Sequence, residues 1–376
     1  MARVPRVRVL ITGGAGFIGS HVADSLLASG VEVAILDSLD LQIHDGRPSY
    51  LHADAELIVG DVRDREMVAR ALAGVDAVVH LAAAVGVGQS MYEIERYTSV
   101  NAYGAATVLQ AAIPLRDRLR KIVVASSMAV YGEGLYRCPH EGVPVSPGPR
   151  PAAQLDAREW EVRCPSCGAS LEPLPTPETK PLAPTSIYAI GKRDHEEMFL
   201  AWGRAYGVAA TALRFFNVYG PRQALSNPYT GVAAIFASRL LAGSPPVIFE
   251  DGRQSRDFVH VRDVAVAVVG ALEVGAADGL AINIGSGRAT TVHEIADALG
   301  RELGVAIAPD VRGEYRSPDI RHCFADISLA RATLDFEPRV SFPDGMRELA
   351  AWLAGEQSED RVDEATDALL NLGLIR

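Results

Sequence analysis

The chain has 376 residues, 48% of them hydrophobic, enough to bury a large core in one dominant domain with a smaller appendage. Its net charge of −11 and isoelectric point near 5.4 make nucleic acid and anionic membrane surfaces unfavourable partners. The basic N-terminus leads through a short apolar run into a glycine-rich turn, and no apolar stretch is long enough to cross a bilayer, so we expect a cytoplasmic protein.

Apolar runs and helical patterns alternate from the N-terminus onward. A run over 7–12, a helical pattern over 16–28 and a run over 31–36 predict a βαβ unit. The pattern continues with strands at 56–60, 76–84, 121–127 and 209–216, and with helices over 65–72, before Pro114 and over 187–206. Such strands indicate an α/β fold, a Rossmann-type doubly wound parallel sheet whose ligands bind beyond the carboxyl ends of the strands.

Four regions are predicted along the chain. Residues 1–133 and 185–217 form the Rossmann-type domain, and 134–184 form an insertion, because proline and glycine replace the strand–helix rhythm there. Residues 218–355 carry shorter, mixed elements and are expected to form mainly a smaller C-terminal lobe that binds substrate. Residues 356–376 are predicted to be a charged connection followed by one amphipathic helix.

The turn after the first strand carries glycines with the spacing G-x-G-x-x-G. Gly14, Gly16 and Gly19 would let the backbone turn sharply, approach a pyrophosphate and pack the helix on the strand, although structural turns use glycine too. Asp37 ends the second strand 18 residues after Gly19, where a carboxylate accepts hydrogen bonds from a ribose diol. Since that carboxylate disfavours the phosphate of NADP, we predict NAD as the cofactor.

Asp61 and Val62 follow the third strand. Their position predicts that they flank the adenine of the cofactor. A helix N-cap is an equally good interpretation of Asp61.

Three side chains form a candidate catalytic group. Tyr188 and Lys192 are four residues apart on one face of a predicted helix, a spacing that also marks many exposed helix faces. An ammonium beside a phenol favours the phenolate, so the tyrosine is a candidate general acid and base. Ser127 ends the strand KIVVASS and would present its hydroxyl to the same cleft.

Nine motifs along roughly the first 350 residues carry a family resemblance. They are TGGAGFIG, HLAA, VNAYGAATVL, SSMAVYG, YAIGK, LRFFNVYGPRQ, RDFVHVRDV, INIGSG and RSPDIRHCFAD. With them the chain resembles the extended short-chain dehydrogenase/reductase family, specifically the NAD-dependent nucleotide-sugar epimerases and dehydratases.

The resemblance implies roles for individual residues. Ser127, Tyr188 and Lys192 would form the catalytic triad. The cofactor would be bound by Gly13, Gly14, Gly16, Phe17, Ile18, Gly19, Asp37, Asp61, Val62, Leu81, Ala82, Ala83, Asn101, Tyr188 and Lys192. The substrate, a nucleotide-diphosphate sugar, would be bound by Ser127, Met128, Asn217, Arg256, Arg316 and Asp319. A homodimer through paired helices is also implied.

The two arginines of this set also make physical sense. An acidic protein needs local positive charge to hold a diphosphate, which guanidinium groups bind in a bidentate manner. The alternative for Arg256 and Arg316 is a surface ion pair with Asp257 or Asp319.

The residues after Ser127 favour one reaction of the family. Dehydratases carry an acid pair there and decarboxylases a glutamate, whereas this chain has Met128 and Ala129, which cannot protonate a leaving hydroxyl. The expectation is therefore a 4-epimerase that oxidises the sugar at C4 and keeps its NAD. The alternatives are a 4-ketoreductase or dehydrogenase, and a non-catalytic NAD-sensing protein.

Three of the four cysteines lie in the insertion, which accounts for a wide gap of 61 residues between Ser127 and Tyr188. The spacing of Cys138, His140, Cys164 and Cys167 predicts a structural zinc site, since a proline-rich segment with little core can gain folding energy from a metal. Glu141 is an alternative to His140 as the fourth ligand, and reduced cysteines with a surface histidine are the alternative to zinc. The insertion resembles that of a bacterial subgroup of deoxysugar epimerases, the dTDP-L-rhamnose 4-epimerase-like proteins.

Overall fold

A computed structural model describes residues 7–224, 231–317, 319–355 and 362–376. Its centre is a seven-stranded, wholly parallel sheet with strand order β14-β9-β5-β4-β1-β2-β3. The strands of this sheet are β1 (Arg8–Thr12), β2 (Glu32–Asp37), β3 (Glu56–Val59), β4 (Ala77–His80), β5 (Lys121–Ser127), β9 (Ala209–Phe215) and β14 (Ala281–Ile284). The other strands are β6 (Leu135–Arg137), β7 (Pro144–Val145), β8 (Glu172–Leu174), β10 (Asn217–Tyr219), β11 (Val247–Ile248), β12 (Ser255–Arg256), β13 (Phe258–His260), β15 (Thr290–Thr291), β16 (Asp310–Val311) and β17 (His322–Cys323).

Helices cover both faces of the sheet. They are α1 (Phe17–Ala28), α2 (Arg65–Ala71), α3 (Val87–Ser90), α4 (Ile94–Thr98), α5 (Gly104–Ala112), α6 (Ala152–Asp156), α7 (Ile187–Tyr206), α8 (Val232–Leu241), α9 (Val261–Glu273), α10 (Val292–Leu303), α11 (Ser328–Leu334), α12 (Phe342–Leu353) and α13 (Val362–Asn371). Along β1, Val9 and Ile11 face the layer that contains α1 and α9, while Leu10 faces the layer of α2, α5 and α7. Burial on both faces explains why the strands are continuous apolar runs. The predicted Rossmann-type doubly wound sheet is confirmed.

The strand register brings the carboxyl ends of the strands to one edge. Thr12 pairs with Leu36 on one side and with His80 on the other, and Ser127 pairs with Phe215. The glycine turn, the end of β2 and the end of β5 therefore open onto the same cleft, as expected for parallel strands.

Most predicted elements of the sheet domain agree with the structure to within two residues, and helix α7 and strand β5 match the prediction to the residue. The strand predicted over 76–84 is shorter, because the chain leaves the sheet after His80. A π-helical turn over Ser99–Tyr103 separates α4 from α5. The edge strand β14 comes from the range 218–355, for which the sequence predicts mainly the smaller lobe.

The smaller lobe packs α8, α10 and α12 around its own apolar cluster, which includes Phe236, Leu299 and Leu349. Its strands form short pairs and one three-stranded sheet, β15-β12-β17. Within the predicted tail, α13 lies among the described residues, while 356–361 lie outside them. After α13 the chain returns to pair Ile375 with Arg316.

The insertion is a small antiparallel sheet, β7-β6-β8, with helix α6. Its apolar core is small: the buried members are Tyr136, Cys138, Val162, Cys164 and Leu171. Among the helices that the structure describes, none is long and apolar enough to cross a membrane.

Candidate active site and cysteine cluster

Two glycines of the turn after β1 are required by the packing of the protein itself. Gly13 has φ +70°, and a Cβ there would lie 2.7 Å from the backbone nitrogen of Ala82. A Cβ at Gly19 would lie 2.4 Å from the carbonyl oxygen of Gly13. Because Gly19 has no side chain, the first helix can pack closely against the turn. Because Gly13 has none, the turn can pack closely against the chain that follows β4.

Gly16 differs, because the protein leaves space around it. Among the described residues, a Cβ at Gly16 would meet only the Gly13 oxygen, at an ordinary 3.4 Å. Gly16 is the N-cap of α1, and no side chain caps the first-turn N–H groups, which include those of Phe17 and Ile18. An open backbone beside uncapped helix amides is what a pyrophosphate group needs, so the turn fits a dinucleotide.

Asp37 lies buried at the end of β2, beside this turn. Its Oδ2 accepts a hydrogen bond from Ala15 N–H at 3.0 Å, and its Oδ1 accepts one from Leu39 N–H at 2.9 Å. Each carboxylate oxygen keeps a second lone pair for a ligand donor. This arrangement fits a ribose diol.

Asp61 and Val62 lie where the sequence placed them, after β3, but Asp61 is not a helix cap. The N-cap of α2 is Asp64, whose carboxylate accepts hydrogen bonds from Glu66 and Met67 N–H. Asp61 instead pairs with Arg63 at 2.6 Å, and this hydrogen-bonded pairing holds the pKa of Asp61 below its usual range. Val62 is buried against α5.

The predicted cofactor residues after β4 line the same edge of the sheet. Leu81, Ala82 and Ala83 follow the end of the strand. Asn101 is buried in the π-helical turn and exchanges two hydrogen bonds with the backbone of Ala84, at 2.8 and 3.1 Å. These bonds fix the loop after β4 in place.

The structure brings Ser127, Tyr188 and Lys192 together at this edge. Ser127 ends β5, and its hydroxyl lies close enough to the phenol of Tyr188 to lower the pKa of that phenol. Lys192 lies one helical turn further along α7, buried, with its ammonium donating to the Ala125 carbonyl at 3.1 Å. The hydroxyl of Ser127 also accepts a hydrogen bond from Ala129 N–H at 3.2 Å.

The pKa of Tyr188 differs from the sequence expectation. Burial raises it, and the hydrogen bond with Ser127 offsets part of that shift, whereas the sequence predicted a lowered value. The reason is that burial disfavours the charged phenolate, and Lys192 does not offset this effect. Burial also lowers the pKa of Lys192, to about 7. The phenol of Tyr188 is therefore protonated at neutral pH in this arrangement.

A buried ion pair beneath the triad was not found from the sequence. Glu196 on α7 accepts hydrogen bonds from Ser126 at 2.9 Å and from Arg214 on β9 at 2.5 and 2.9 Å. Arg214 also donates to the hydroxyl of Tyr131 at 2.7 Å. This network ties α7, which carries Tyr188, to the end of the strand that carries Ser127.

Asn217 and Arg256, two of the predicted substrate residues, lie on short neighbouring elements, β10 and β12. The buried side-chain oxygen of Asn217 has no hydrogen-bond partner among the residues that the structure describes. Arg256 donates to three backbone carbonyls, those of Ser255, Ile320 and Arg321, and no carboxylate of the described chain lies within 4.0 Å of it. Its charge is thus fixed in position and not neutralised.

Of the two ion pairs considered as alternatives, the described residues contain Arg316–Asp319 and not Arg256–Asp257. Asp257 is occupied by backbone N–H groups and the hydroxyl of Ser286 instead of Arg256. Arg316 pairs with Asp319 at 2.7 Å and lies over the ring of Phe249, 5.0 Å from its centre.

The position after Ser127 is apolar. Met128 is 8% exposed and packs with Val130, Phe216 and Ile327 in a cluster behind the strand end. The side chains that follow Ser127 therefore offer no acid to the cleft.

A buried charge network joins the insertion to the smaller lobe. Arg321, which is fully buried, pairs with Glu250, Asp251 and Glu161, at 2.9, 2.6 and 2.5 Å. Arg150 of the insertion pairs with Glu250 at 2.7 Å and donates to the carbonyl of Asp319 at 3.3 Å. The insertion is thereby attached to the loop that carries Asp319. This network was not predicted from the sequence, although Arg321 lies within the motif RSPDIRHCFAD.

The structure gathers Cys138, Cys164 and Cys167 at the end of the insertion. Their sulfur atoms lie within 4.8 Å of one another, and those of Cys138 and Cys167 are 3.6 Å apart. Hydrogen bonds from the N–H groups of Cys167 and Ser166 lower the pKa of Cys164, which favours a thiolate. His140 is exposed and is not part of this group of ligand atoms, and Cys323 is buried elsewhere.

Comparison with known proteins identifies a family. The NAD dependent epimerase/dehydratase family matches residues 9–151 and 166–285. The chain is 38% identical to dTDP-L-rhamnose 4-epimerase of Burkholderia thailandensis over 93% of this chain and 95% of that protein. It is 29% identical to dTDP-glucose 4,6-dehydratase of Streptomyces niveus, over 92% of each chain.

Solved structures give the same result. UDP-glucose 4-epimerase of Thermotoga maritima, solved with UDP-glucose, superposes with a TM-score of 0.75 at 32% identity, covering 93% of this chain and 99% of that one. UDP-glucose 4-epimerase of Thermus thermophilus, solved with NAD, gives a TM-score of 0.72 at 31% identity, covering 93% of this chain and 100% of that one.

Proposed function

The chain belongs to the NAD-dependent epimerase/dehydratase family, and on that premise we propose that it is a nucleotide-sugar 4-epimerase that keeps its NAD bound. The observation that carries the proposal is the joint position of Ser127, Tyr188 and Lys192 at the strand edge, followed by apolar Met128. The relatives include 4-epimerases of dTDP-L-rhamnose and UDP-glucose, so we propose a dTDP- or UDP-sugar as substrate.

Each member of the triad has a defined role. Bound NAD supplies the hydride acceptor and a positive charge that lowers the pKa of a nearby phenol. Tyr188 then takes the proton from the sugar's C4 hydroxyl, and Ser127 hydrogen-bonds to the same oxygen. Lys192 also holds the nicotinamide ribose. When the sugar has turned over and is reduced on its other face, Tyr188 would return the proton to the same oxygen.

Epimerisation is favoured over dehydration by the residues beyond Ser127. Elimination of water from the sugar needs an acid that protonates the leaving hydroxyl. Met128 is buried in an apolar cluster, and Ala129 has no ionisable group. Oxidation and reduction at C4 need only the triad and the cofactor.

The smaller lobe, residues 218–355, is proposed to bind the nucleotide diphosphate. Arg256 supplies a fixed positive charge without a carboxylate partner, which suits a phosphate oxygen. The unpartnered oxygen of Asn217 supplies an acceptor on the neighbouring strand. Arg316 and Asp319 complete the proposed site, and Arg316 exchanges its ion pair for the ligand.

Two measurements test the proposed reaction. The purified protein should carry NAD or NADH, released on denaturation, and should interconvert C4 epimers from a panel of dTDP- and UDP-sugars without added cofactor. Stoichiometric consumption of added NAD would identify a dehydrogenase instead. Binding of NAD without turnover of any nucleotide sugar would indicate the non-catalytic alternative.

We also propose that the cysteine cluster holds one structural zinc ion. Zinc bonds thiolates at about 2.3 Å, and tetrahedral geometry then separates the sulfur atoms by about 3.8 Å. The 3.6 Å between the sulfurs of Cys138 and Cys167 agrees with this value. Because the insertion has a small apolar core, the metal would supply much of its folding energy.

Replacing Cys167 with Ser tests the zinc proposal. The variant should lose zinc, become protease-sensitive within 134–184 and bind substrate more weakly, while NAD content stays near wild type. Substrate binding should change more than NAD content, because the insertion contacts the loop of Asp319, whereas the glycine turn lies in the sheet domain. Wild-type protein that lacks zinc after preparation without chelators would contradict the proposal.

A homodimer is proposed through the outer face of α4, the π-helical turn and α7. This region exposes Ile94, Tyr103 and Ile190, and α4 packs against α7. Sedimentation of wild type should give a dimer, and the double variant Tyr103→Glu, Ile190→Glu should give a monomer. A monomeric wild type would contradict this proposal.

A further inference from the structure

The insertion contains two hairpins, and their two turns have the same structure. The first pairs β6 with β7 and turns at Cys138-Pro-His-Glu-Gly142. The second pairs Arg163 with Ser170 and turns at Cys164-Pro-Ser-Cys-Gly168. Both turns are preceded by arginine, so the sequence repeats as RCPHEG and RCPSCG.

The backbone hydrogen bonds of the two turns correspond one to one. In the first turn Gly142 N–H donates to the Cys138 carbonyl at 2.8 Å, and Cys138 N–H donates to the Val143 carbonyl at 3.1 Å. In the second turn Gly168 N–H donates to the Cys164 carbonyl at 2.9 Å, and Cys164 N–H donates to the Ala169 carbonyl at 2.7 Å.

The closing glycines of the two turns correspond as well. Gly142 has φ +70° and Gly168 has φ +74°, a left-handed conformation that favours glycine. The two turns are therefore the same structure built twice.

This equivalence assigns a role to each position of the turn. The first position is cysteine in both turns, and both sulfurs are in the cluster. The fourth position of the second turn is Cys167, also in the cluster, and its counterpart in the first turn is Glu141. The third position is Ser166 in the second turn. Ser166 contributes its backbone N–H to the sulfur of Cys164, while its exposed side chain is not a cluster member.

We propose that a carboxylate oxygen of Glu141 is the fourth zinc ligand, and that His140 is not a ligand. The inference rests on the proposed metal site and corrects the sequence expectation of His140. His140 occupies the third position, equivalent to Ser166, whereas Glu141 occupies the ligand position equivalent to Cys167. The carboxylate of Glu141 is exposed and, like the ring of His140, lies outside the group of three sulfurs, so the assignment rests on the equivalence of the two turns. Carboxylate oxygen is an accepted zinc ligand at about 2.0–2.2 Å.

A carboxylate at this position would give the metal site a net negative charge. Three thiolates and one carboxylate around Zn²⁺ leave a net charge of about −2. The arginines that precede the turns, Arg137 and Arg163, lie next to the ligands Cys138 and Cys164 in sequence. Arg163 also donates to the Gly168 carbonyl of the second turn at 3.3 Å. Both guanidinium groups also pair with carboxylates outside the cluster, Arg137 with Glu172 at 2.6 Å and Arg163 with Glu159 at 2.9 Å.

Three variants of the full-length protein test the assignment. Glu141→Gln should bind zinc at least 10-fold more weakly in a chelator competition, since even loss of an outer partner of a ligand costs about 10–100-fold. His140→Ala should bind zinc as wild type does. Glu141→Cys should keep one zinc per chain and change the coordination from three sulfurs and one oxygen to four sulfurs. X-ray absorption at the zinc edge and the visible spectrum of the cobalt-substituted protein report these ligand sets.

The outcomes separate the assignment from the site itself. If the wild type contains no zinc, both the metal site and the role of Glu141 are wrong. Zinc content and zinc affinity are measured independently of the epimerase activity. Zinc-containing wild type in which His140→Ala loses the metal and Glu141→Gln keeps it would overturn the role of Glu141 alone. Equal zinc affinity of all variants would also overturn it, because the fourth ligand would then be water or another group. Glu141→Cys provides a folded control if Glu141→Gln is unstable.

Discussion

The seven-stranded sheet and the insertion differ in what holds them together. The sheet buries two apolar layers, with residues such as Val9 and Ile11 on one face and Leu10 on the other. The insertion buries five residues in its core, two of which are the cysteines Cys138 and Cys164. A large apolar core folds by burial, whereas a segment with so small a core needs cross-links. The sheet region therefore should not depend on metal, and the insertion should.

The sheet and the insertion also contribute to the proposed substrate site in different ways. The proposed catalytic groups come from the sheet edge, where Ser127 and Tyr188 are held by regular elements. The insertion contributes Arg150, which donates a hydrogen bond to the backbone carbonyl of Asp319 and so acts on the proposed substrate site only indirectly. Changes at the sheet edge should therefore affect the chemical step, and changes in the insertion should affect substrate binding.

The largest effect is expected for Tyr188→Phe. Loss of the phenol oxygen removes the proton acceptor and donor, so kcat should fall by about 10²–10⁴-fold. Substrate affinity, zinc content and protease resistance of the insertion should stay near wild type, because the aromatic ring is kept. Steady-state rates, titration calorimetry and metal analysis provide the measurements. Wild-type turnover in this variant would remove Tyr188 from the mechanism.

The next effect concerns the charge network between the insertion and the lobe. Arg321→Met leaves Glu161, Glu250 and Asp251 near one another without their shared cation, which typically costs about 3–5 kcal/mol. Urea unfolding should show this loss. The matched control is exposed Arg253→Met, which should change stability by no more than about 0.5 kcal/mol. Similar stability of the two variants would mean that the network does not stabilise the fold.

The sheet and its catalytic residues were predictable because each follows from a local pattern. Apolar runs mark strands buried on both faces, and the strand ends then place Ser127, Asp37 and the glycine turn at one edge. Tyr188 and Lys192 follow from a four-residue spacing within a helix of correctly predicted length.

Other features depend on long-range contacts that no local pattern shows. Arg321 meets Glu161 across 160 residues of sequence, and its motif does not reveal that it is buried. The raised pKa of Tyr188 and the lowered pKa of Lys192 both arise from burial by distant elements. The repeat RCPHEG and RCPSCG is visible in the sequence, but only the matching hydrogen bonds make Glu141 equivalent to Cys167.

Two glycine variants separate fold from cofactor within the sheet region. Gly19→Ala places a methyl group 2.4 Å from the backbone oxygen of Gly13, so it should destabilise the protein by about 1–3 kcal/mol or more. Gly16→Ala meets only an ordinary contact at 3.4 Å and should keep wild-type stability but lose NAD, because the methyl group fills the space left for the pyrophosphate. Thermal unfolding of the cofactor-free variants and their NAD content test both. Full NAD content in Gly16→Ala would place the pyrophosphate elsewhere.

The last prediction concerns the buried ammonium of Lys192, whose effect within a single pH unit is modest. Burial lowers its pKa from 10.5 to about 7, so between these pH values the unfolded chain holds a proton that the folded chain has lost. The contribution of Lys192 to the free energy of unfolding therefore rises with pH, by up to about 1.4 kcal/mol per pH unit. Below about pH 7 the destabilisation caused by burying the ammonium has its full size. Lys192→Met removes this titration.

We expect the difference in unfolding free energy between wild type and Lys192→Met to move in favour of wild type as the pH is raised above 7. Urea unfolding of both proteins, freed of NAD and compared at the same zinc content, isolates the contribution, because all other titrating groups are shared. A difference that does not change with pH would show that the ammonium remains hydrated. The edge of the sheet would then be solvated as the surface of the insertion is, and the raised pKa of Tyr188 would lose its physical cause, which is burial.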